Sequence, residues 1–146
     1  MENNNILEIM VTQHALLEVL FTAFKNEING NLERGKSFLS EFKWESKKHF
    51  FIEEEAIFNF LPWSDPEISE MIKRIKNEHG IMADRLQNIS KNLANISEIE
   101  MEGFYRLLEN HRKFEEQDLY PVLDTRLTDA QKRQIIFRVN QITLNK

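Results

Sequence analysis

The sequence predicts an all-α protein: an antiparallel up-down-up-down four-helix bundle followed by a short fifth C-terminal helix. Apolar residues return every three or four positions almost throughout the chain, which is the spacing of one helix face. Four Gly and three Pro in 146 residues are too few for the tight turns of a many-stranded fold or for a long flexible linker. The breaks between apolar stripes are short, which favours antiparallel neighbours. The length suits one domain over residues 1–146, with the bundle at about 5–124 and the last helix at about 129–144.

Each element has its own signature. Ile6, Met10, His14, Leu17, Phe21 and Phe24 form the first stripe, and Asn29-Gly30-Asn31 has the turn chemistry to end it. Phe38, Phe42, Glu45, His49, Ile52, Glu53, Ala56 and Phe60 form the second, before a break at Pro62-Trp63-Ser64-Asp65-Pro66. Asp65 is expected to cap the third helix, with Pro66 at its first position, where a missing N–H costs nothing. That helix carries Ile68, Ile72, Ile75, His79, Met82, Leu86 and Ile89. Ser97 with Glu100 resembles a capping box opening the fourth helix, whose stripe is Phe104, Leu107, Leu108, His111, Phe114, Glu115 and Leu119, toward Pro121. Thr128 with Gln131 caps the last helix, which runs to about Leu144 with Ile135, Ile136, Val139 and Ile142 on its apolar face. This helix could cover an open end of the bundle or make a dimer contact.

Composition narrows the functions. A hydrophobic share of 41% with 29% charge is ordinary for a globular chain, and 11 Phe against two Tyr and two Trp imply a ring-rich core. The absence of Cys excludes disulfides, thiolate metal sites and a cysteine nucleophile. A net charge of −5 argues against a nucleic-acid partner, and the short clusters Lys47-Lys48, Lys73-Arg74 and Lys132-Arg133 read as solvated helix faces. Met1-Glu2-Asn3-Asn4-Asn5 lacks the basic start of a secretory signal, and no apolar run approaches the roughly 18 residues of a membrane span. A cytoplasmic protein without a membrane partner is expected.

The most informative feature is a repeat. His49-Phe-Phe-Ile-Glu53-Glu54 recurs as His111-Arg-Lys-Phe-Glu115-Glu116, and each copy continues with an aliphatic, an aromatic and a Leu in matching register. A His and a Glu four apart share one helix face, about 6 Å apart along the axis, within reach of one metal centre. The other two histidines also begin a matching pair, His14-Ala-Leu-Leu against His79-Gly-Ile-Met. Two related hairpins therefore each supply a His, then a His plus a Glu, to a shared centre. Four imidazoles and two carboxylates in a Phe-rich core are costly unless something common pairs with them, and metal does so.

The donor count suggests two metals. If Glu53 and Glu115 both bridge, each metal receives one oxygen from each Glu and two of the four imidazoles. About two of six octahedral positions then remain for a solvent-derived bridge and an exogenous ligand. Nitrogen and oxygen donors without sulfur suit iron or manganese, and zinc less well. A ferritin-like centre would need a Glu three residues before a His, but Val11, Ser46, Lys76 and Leu108 stand there.

The paired His-Phe-Phe-Ile-Glu-Glu and His-Arg-Lys-Phe-Glu-Glu elements, the latter leading into Leu-Tyr-Pro-Val-Leu, resemble those of the hemerythrin-like, or HHE cation-binding, domain family. The resemblance covers residues about 5 to 124. Matched residue by residue, it implies His14, His49, Glu53, His79, His111 and Glu115 as metal ligands, and a non-haem di-iron centre of the Fe–O–Fe type. Oxygen-carrying hemerythrins have a fifth His, one turn from the third-helix His. Here those neighbours of His79 are Ile75 and Ala83, one of which should face an unfilled side of the metal pair. The carriers also place a carboxylate five residues after the fourth-helix His, whereas Glu115 stands at four and Glu116 at five. The site is thus similar to the four-histidine variant, which includes the iron- and oxygen-sensing domain of an F-box protein.

The resemblance implies a small ligand, such as dioxygen, peroxide, nitric oxide or an azide-like anion, in a sensor, scavenger or store rather than a bulk carrier. The alternatives are a peroxidase- or catalase-like enzyme and a regulatory module that metal merely holds closed. No general acid or substrate pocket can be identified, so enzyme status stays open, and no Ser-His-Asp arrangement has support. Glu18, four after His14, reads as a surface or supporting residue. Glu54 and Glu116 either accept hydrogen bonds from ligand imidazoles or face solvent. Tyr120 and Trp63 read as packing residues.

Overall fold

The computed structural model describes residues 5–142, and among these there is no strand. Helix α1 spans Ile6–Glu27, α2 Leu32–Phe51, α3 Pro66–Lys91, α4 Glu98–Phe114, α5 Tyr120–Arg126 and α6 Asp129–Gln141. The four long helices form the expected antiparallel bundle. Residues 143–146, and with them the expected helix end at Leu144, lie outside the described residues.

Local chemistry sets the boundaries. The Asn31 side chain accepts the Arg34 N–H at 3.1 Å and starts α2. Asp65 accepts the Glu67 and Ile68 N–H groups and starts α3, with Pro66 in its first turn. Ser97 caps α4 by accepting from Glu100 N–H, and Thr128 with Gln131 completes a reciprocal capping box on α6. The Asn5 side chain makes no capping bond to helix α1. Its first two N–H groups, on Ile6 and Leu7, instead donate to the carboxylate of Asp124 at 2.9 and 3.0 Å. Gly35 lets α2 pack closely on the end of α1, because a Cβ there would lie 3.0 Å from the Ile28 Cα, tighter than an ordinary contact.

Neither repeated element is a plain α-helix. Ile52–Ile57 and Glu115–Leu119 are π-helical turns, the first followed by the 3₁₀ turn Phe58–Phe60 and the second by α5. The N–H groups of Phe58 and Tyr120 reach back five residues to the carbonyls of Glu53 and Glu115. Pro121, toward which the fourth stripe runs, sits in the first turn of α5. The second stripe is also rotated from expectation. Gly35, Leu39 and Ser46 are buried while Phe38 and Glu45 are half-buried, and Phe60 yields its place in the core to Phe58.

Two apolar clusters fill the bundle. One gathers Met10, Ile57, Ile75, Leu119, Tyr120 and Leu123 with Ile135 and Val139, so α6 covers this end. The other gathers Leu17, Met82 and Leu108 with rings including Phe21, Phe42 and Phe104, whose centroids lie 5.1–5.9 Å apart. Helix α1 is long and apolar enough, by length and composition, to cross a bilayer, contrary to expectation. The cause is a buried core face combined with outward Val11, Leu16 and Val19.

Candidate metal centre

Between the two clusters lies a polar layer. His14 comes from α1, His49 from α2, His79 from α3 and His111 from α4, while Glu53 is the second residue of one π turn and Glu115 the first of the other. All six side chains are buried, the two carboxylates completely (0% exposed). The sequence grouped these six, and the structure brings all six together.

The imidazoles pair by hairpin. His14 and His49 have ring centroids 4.8 Å apart, and His79 and His111 5.1 Å apart. The carboxylates stand between the pairs. Glu53 Oε1 lies 2.9 Å from His49 Nε2 and 3.2 Å from His79 Nε2, while Glu115 Oε1 lies 3.0 Å from His14 Nε2 and 3.1 Å from His111 Nε2. One donor atom from each of Glu53, His79, His111 and Glu115 falls within 4.8 Å of the others, and so do those of His14, His49 and Glu115. Each carboxylate thus faces one imidazole of either pair, the disposition two bridging groups would have.

Every Nδ1 is held from outside the layer. His14 Nδ1 donates to Glu116 at 2.7 Å, His79 Nδ1 to Glu54 at 3.3 Å, His111 Nδ1 to Glu78 at 2.8 Å and His49 Nδ1 to the Gln13 carbonyl at 2.5 Å. An acceptor at Nδ1 fixes the tautomer and aims a lone pair inward from Nε2. Glu54 and Glu116 therefore support the imidazoles rather than face solvent. Gln13 and Glu78 were missed, although a signal existed: each immediately precedes the His that opens a hairpin.

The electrostatics suit a cation. Burial, then the neighbouring His49, lowers His14 to about 4, and burial lowers His111. Both imidazoles are neutral at physiological pH, the form that binds metal. Burial alone would raise Glu53, yet the facing His49 and His79 hold it well below the usual carboxylate range. The layer is thus buried and carries the Glu53 charge, and His111 Nε2 is buried there without a hydrogen-bond partner. An orphaned nitrogen in the same layer as the Glu53 carboxylate is what a metal ion would satisfy.

One face of the layer is sealed. Tyr120 is fully buried and donates its hydroxyl in a short hydrogen bond to Glu53 Oε2, with Glu115 Oε2 at 3.5 Å. Its expected packing role is therefore only part of its contribution. Burial and the Glu53 charge push its phenol well above the ordinary range, so it stays a donor. Ile75 is fully buried on the Tyr120 side, whereas Ala83 is exposed in a crevice between α2 and α3. On the opposite face a cavity of about 10 Å³ touches His14, His49 and His111 between Leu17, Phe50 and Leu108. The Phe50 ring stacks on His79 at 4.0 Å. Glu18 lines the same cavity but is engaged by the Tyr105 hydroxyl at 3.2 Å. Trp63 lies under Arg126 near the helix end, away from the layer.

Comparison with known proteins agrees with the geometry. The family model of the hemerythrin HHE cation binding domain matches residues 5–123. No curated protein and no solved structure matches the chain.

Proposed function

The chain belongs to the hemerythrin HHE cation-binding domain family and is a metal-binding protein, and we propose that its metal is a pair of irons held by His14, His49, Glu53, His79, His111 and Glu115. The observation that supports this most is the set of four inward Nε2 atoms around two carboxylates, each Nδ1 already engaged. Two pairs of imidazoles with a shared carboxylate pair match two metals, whereas one metal would strand part of the set in the core.

When bound, the irons supply redox chemistry and open positions for dioxygen, peroxide or nitric oxide. The chain does the rest. Glu53 and Glu115 offset the charge of the metals, burial keeps His14 and His111 neutral, and the Nδ1 acceptors orient the imidazoles. Tyr120 holds Glu53 by a proton it does not give up at neutral pH. Leu17, Phe50 and Leu108 leave space for only a small ligand beside His14, His49 and His111. With Ile75 and Ala83 one turn from His79, no fifth imidazole completes the set, so a sensor, scavenger or store fits better than a reversible carrier.

Metal content per chain after purification without added metal, together with the visible spectrum, tests the reading. About two irons and oxo-bridged charge-transfer bands are expected. One zinc per chain, with no such bands after iron reconstitution, would overturn it. For the role, the reduced protein mixed with dioxygen should be oxidised quickly, and purging with argon should not restore the reduced spectrum. Full recovery on purging would return the carrier reading.

A further inference from the structure

The polar groups behind the four imidazoles are not equivalent. Behind His79 and His111 stand two carboxylates, Glu54 and Glu78. Behind His14 stands a carboxylate, Glu116, but behind His49 stands the uncharged carbonyl of Gln13. Arginines do not compensate for the difference. Arg74 binds Glu78 at 3.1 Å and Arg112 binds Glu116 at 3.1 Å, so one acceptor on each side shares its charge with a guanidinium. In the repeat Glu54 corresponds to Glu116 and Gln13 to Glu78, so the mismatch between the two pairs is a neutral amide behind His49 where a carboxylate stands behind His111.

We infer that the two metal positions are unequal, the His14/His49 position binding its metal more weakly than the His79/His111 position because Gln13 stands where the other three imidazoles have a carboxylate. The inference rests on the two-metal reading proposed above. An imidazole whose Nδ1–H donates to an anion is a stronger donor at Nε2 than one that donates to an amide. Distance does not reverse the order, although the Gln13 bond is the shorter at 2.5 Å and the Glu54 bond the longer at 3.3 Å. Coulomb energy falls as 1/r, so stretching a contact from 2.7 to 3.3 Å loses roughly a fifth of it, whereas an amide removes the net charge altogether. Glu54 is 35% exposed, which weakens its field at His79 without abolishing it.

The shared carboxylates cannot equalise the positions, because Glu53 and Glu115 each face one imidazole of either pair. The difference therefore survives in stepwise loading. Metal enters the His79/His111 position first and leaves the His14/His49 position first. The small cavity borders both imidazoles of the weaker position but only His111 of the stronger one, so the space for a ligand lies more beside the labile metal.

Anaerobic titration of the metal-free protein with ferrous ion against a competing chelator decides the matter. Two steps separated by about tenfold or more in affinity are expected, the range found when a group behind a ligand is changed. Gln13→Glu should draw the steps together by tightening the weaker one. Glu54→Gln should draw them together by loosening the tighter one. These substitutions act from opposite sides on near-isosteric groups, so a folding defect in one leaves the other decisive. Two equal steps in the unaltered protein would overturn the inequality alone, as would two unequal steps that neither substitution moves. Uptake of a single metal per chain would overturn both the inequality and the two-metal reading.

Discussion

At the scale of single residues, burial separates glutamates that look alike in sequence. Glu53 and Glu55 sit two positions apart, yet Glu53 is fully buried between two imidazoles while Glu55 is exposed and binds Asn59. Glu53→Ala is therefore expected to lose at least one metal of two, and Glu55→Ala none. Elemental analysis of both variants checks this, and equal metal content would refute the assignment of Glu53. Tyr120 makes a subtler case. Tyr120→Phe keeps the ring in its cluster but leaves Glu53 Oε2 without its buried donor. Such a loss costs about 1–3 kcal/mol, and should appear in thermal unfolding of the metal-loaded protein while metal content stays unchanged. An unchanged melting temperature would mean that the hydroxyl bond adds nothing.

At the scale of elements, the π turns let one repeat do two jobs. A π turn carries an extra residue, so the positions after Glu53 and Glu115 are rotated relative to an unbroken α-helix. The same register then delivers an apolar Phe58 in one copy and the hydroxyl of Tyr120 in the other. Helix α3 depends on its start. Asp65 both caps it and accepts Arg126 Nη1 at 2.8 Å, which with the Ile68 and Glu67 N–H groups holds Asp65 below its ordinary value of 3.8. The unfolded chain takes up this proton at a higher pH than the folded one. The contribution is therefore complete above about 3.8 and is lost as pH falls through the lower folded value. Asp65→Asn keeps a capping oxygen but not the charge, so its urea midpoint should depend less on pH between about 4 and 2 than that of the unaltered protein. Parallel curves for the two proteins would show that the Arg126 contact is electrostatically idle.

At the scale of the molecule, the metal centre is the middle layer of the core. The histidines and carboxylates lie between the two apolar clusters, and Tyr120 reaches Glu53 from one of them. Removing metal leaves two buried carboxylates facing the imidazoles, with His111 Nε2 unsatisfied. Metal at a thousandfold above its dissociation constant adds about 4 kcal/mol to stability, which for a domain near this size raises the melting temperature on the order of 10 °C. Scanning calorimetry before and after chelation should show that difference, and re-addition of metal should restore it. Identical melting curves would show that the layer is satisfied without metal.

Much of this was already legible in the sequence, because the signals are local. A 3.6-residue apolar period places Met10, His14 and Leu17 on one face whatever α1 packs against, and a His four residues before a Glu shares its face by helix geometry alone. The caps at Asn31, Asp65, Ser97 and Thr128 are likewise contacts within four residues. Other features depend on how helices far apart in sequence rotate and slide against each other. Asp124 caps α1 from 118 residues away, Tyr120 reaches Glu53 across 67, and Gln13 and Glu78 serve histidines on neighbouring helices rather than the ones beside them. Periodicity says which face of a helix turns inward. It does not say which atom on that face meets which partner, because a hydrogen bond is decided within a few tenths of an ångström and only the packed core fixes positions that closely.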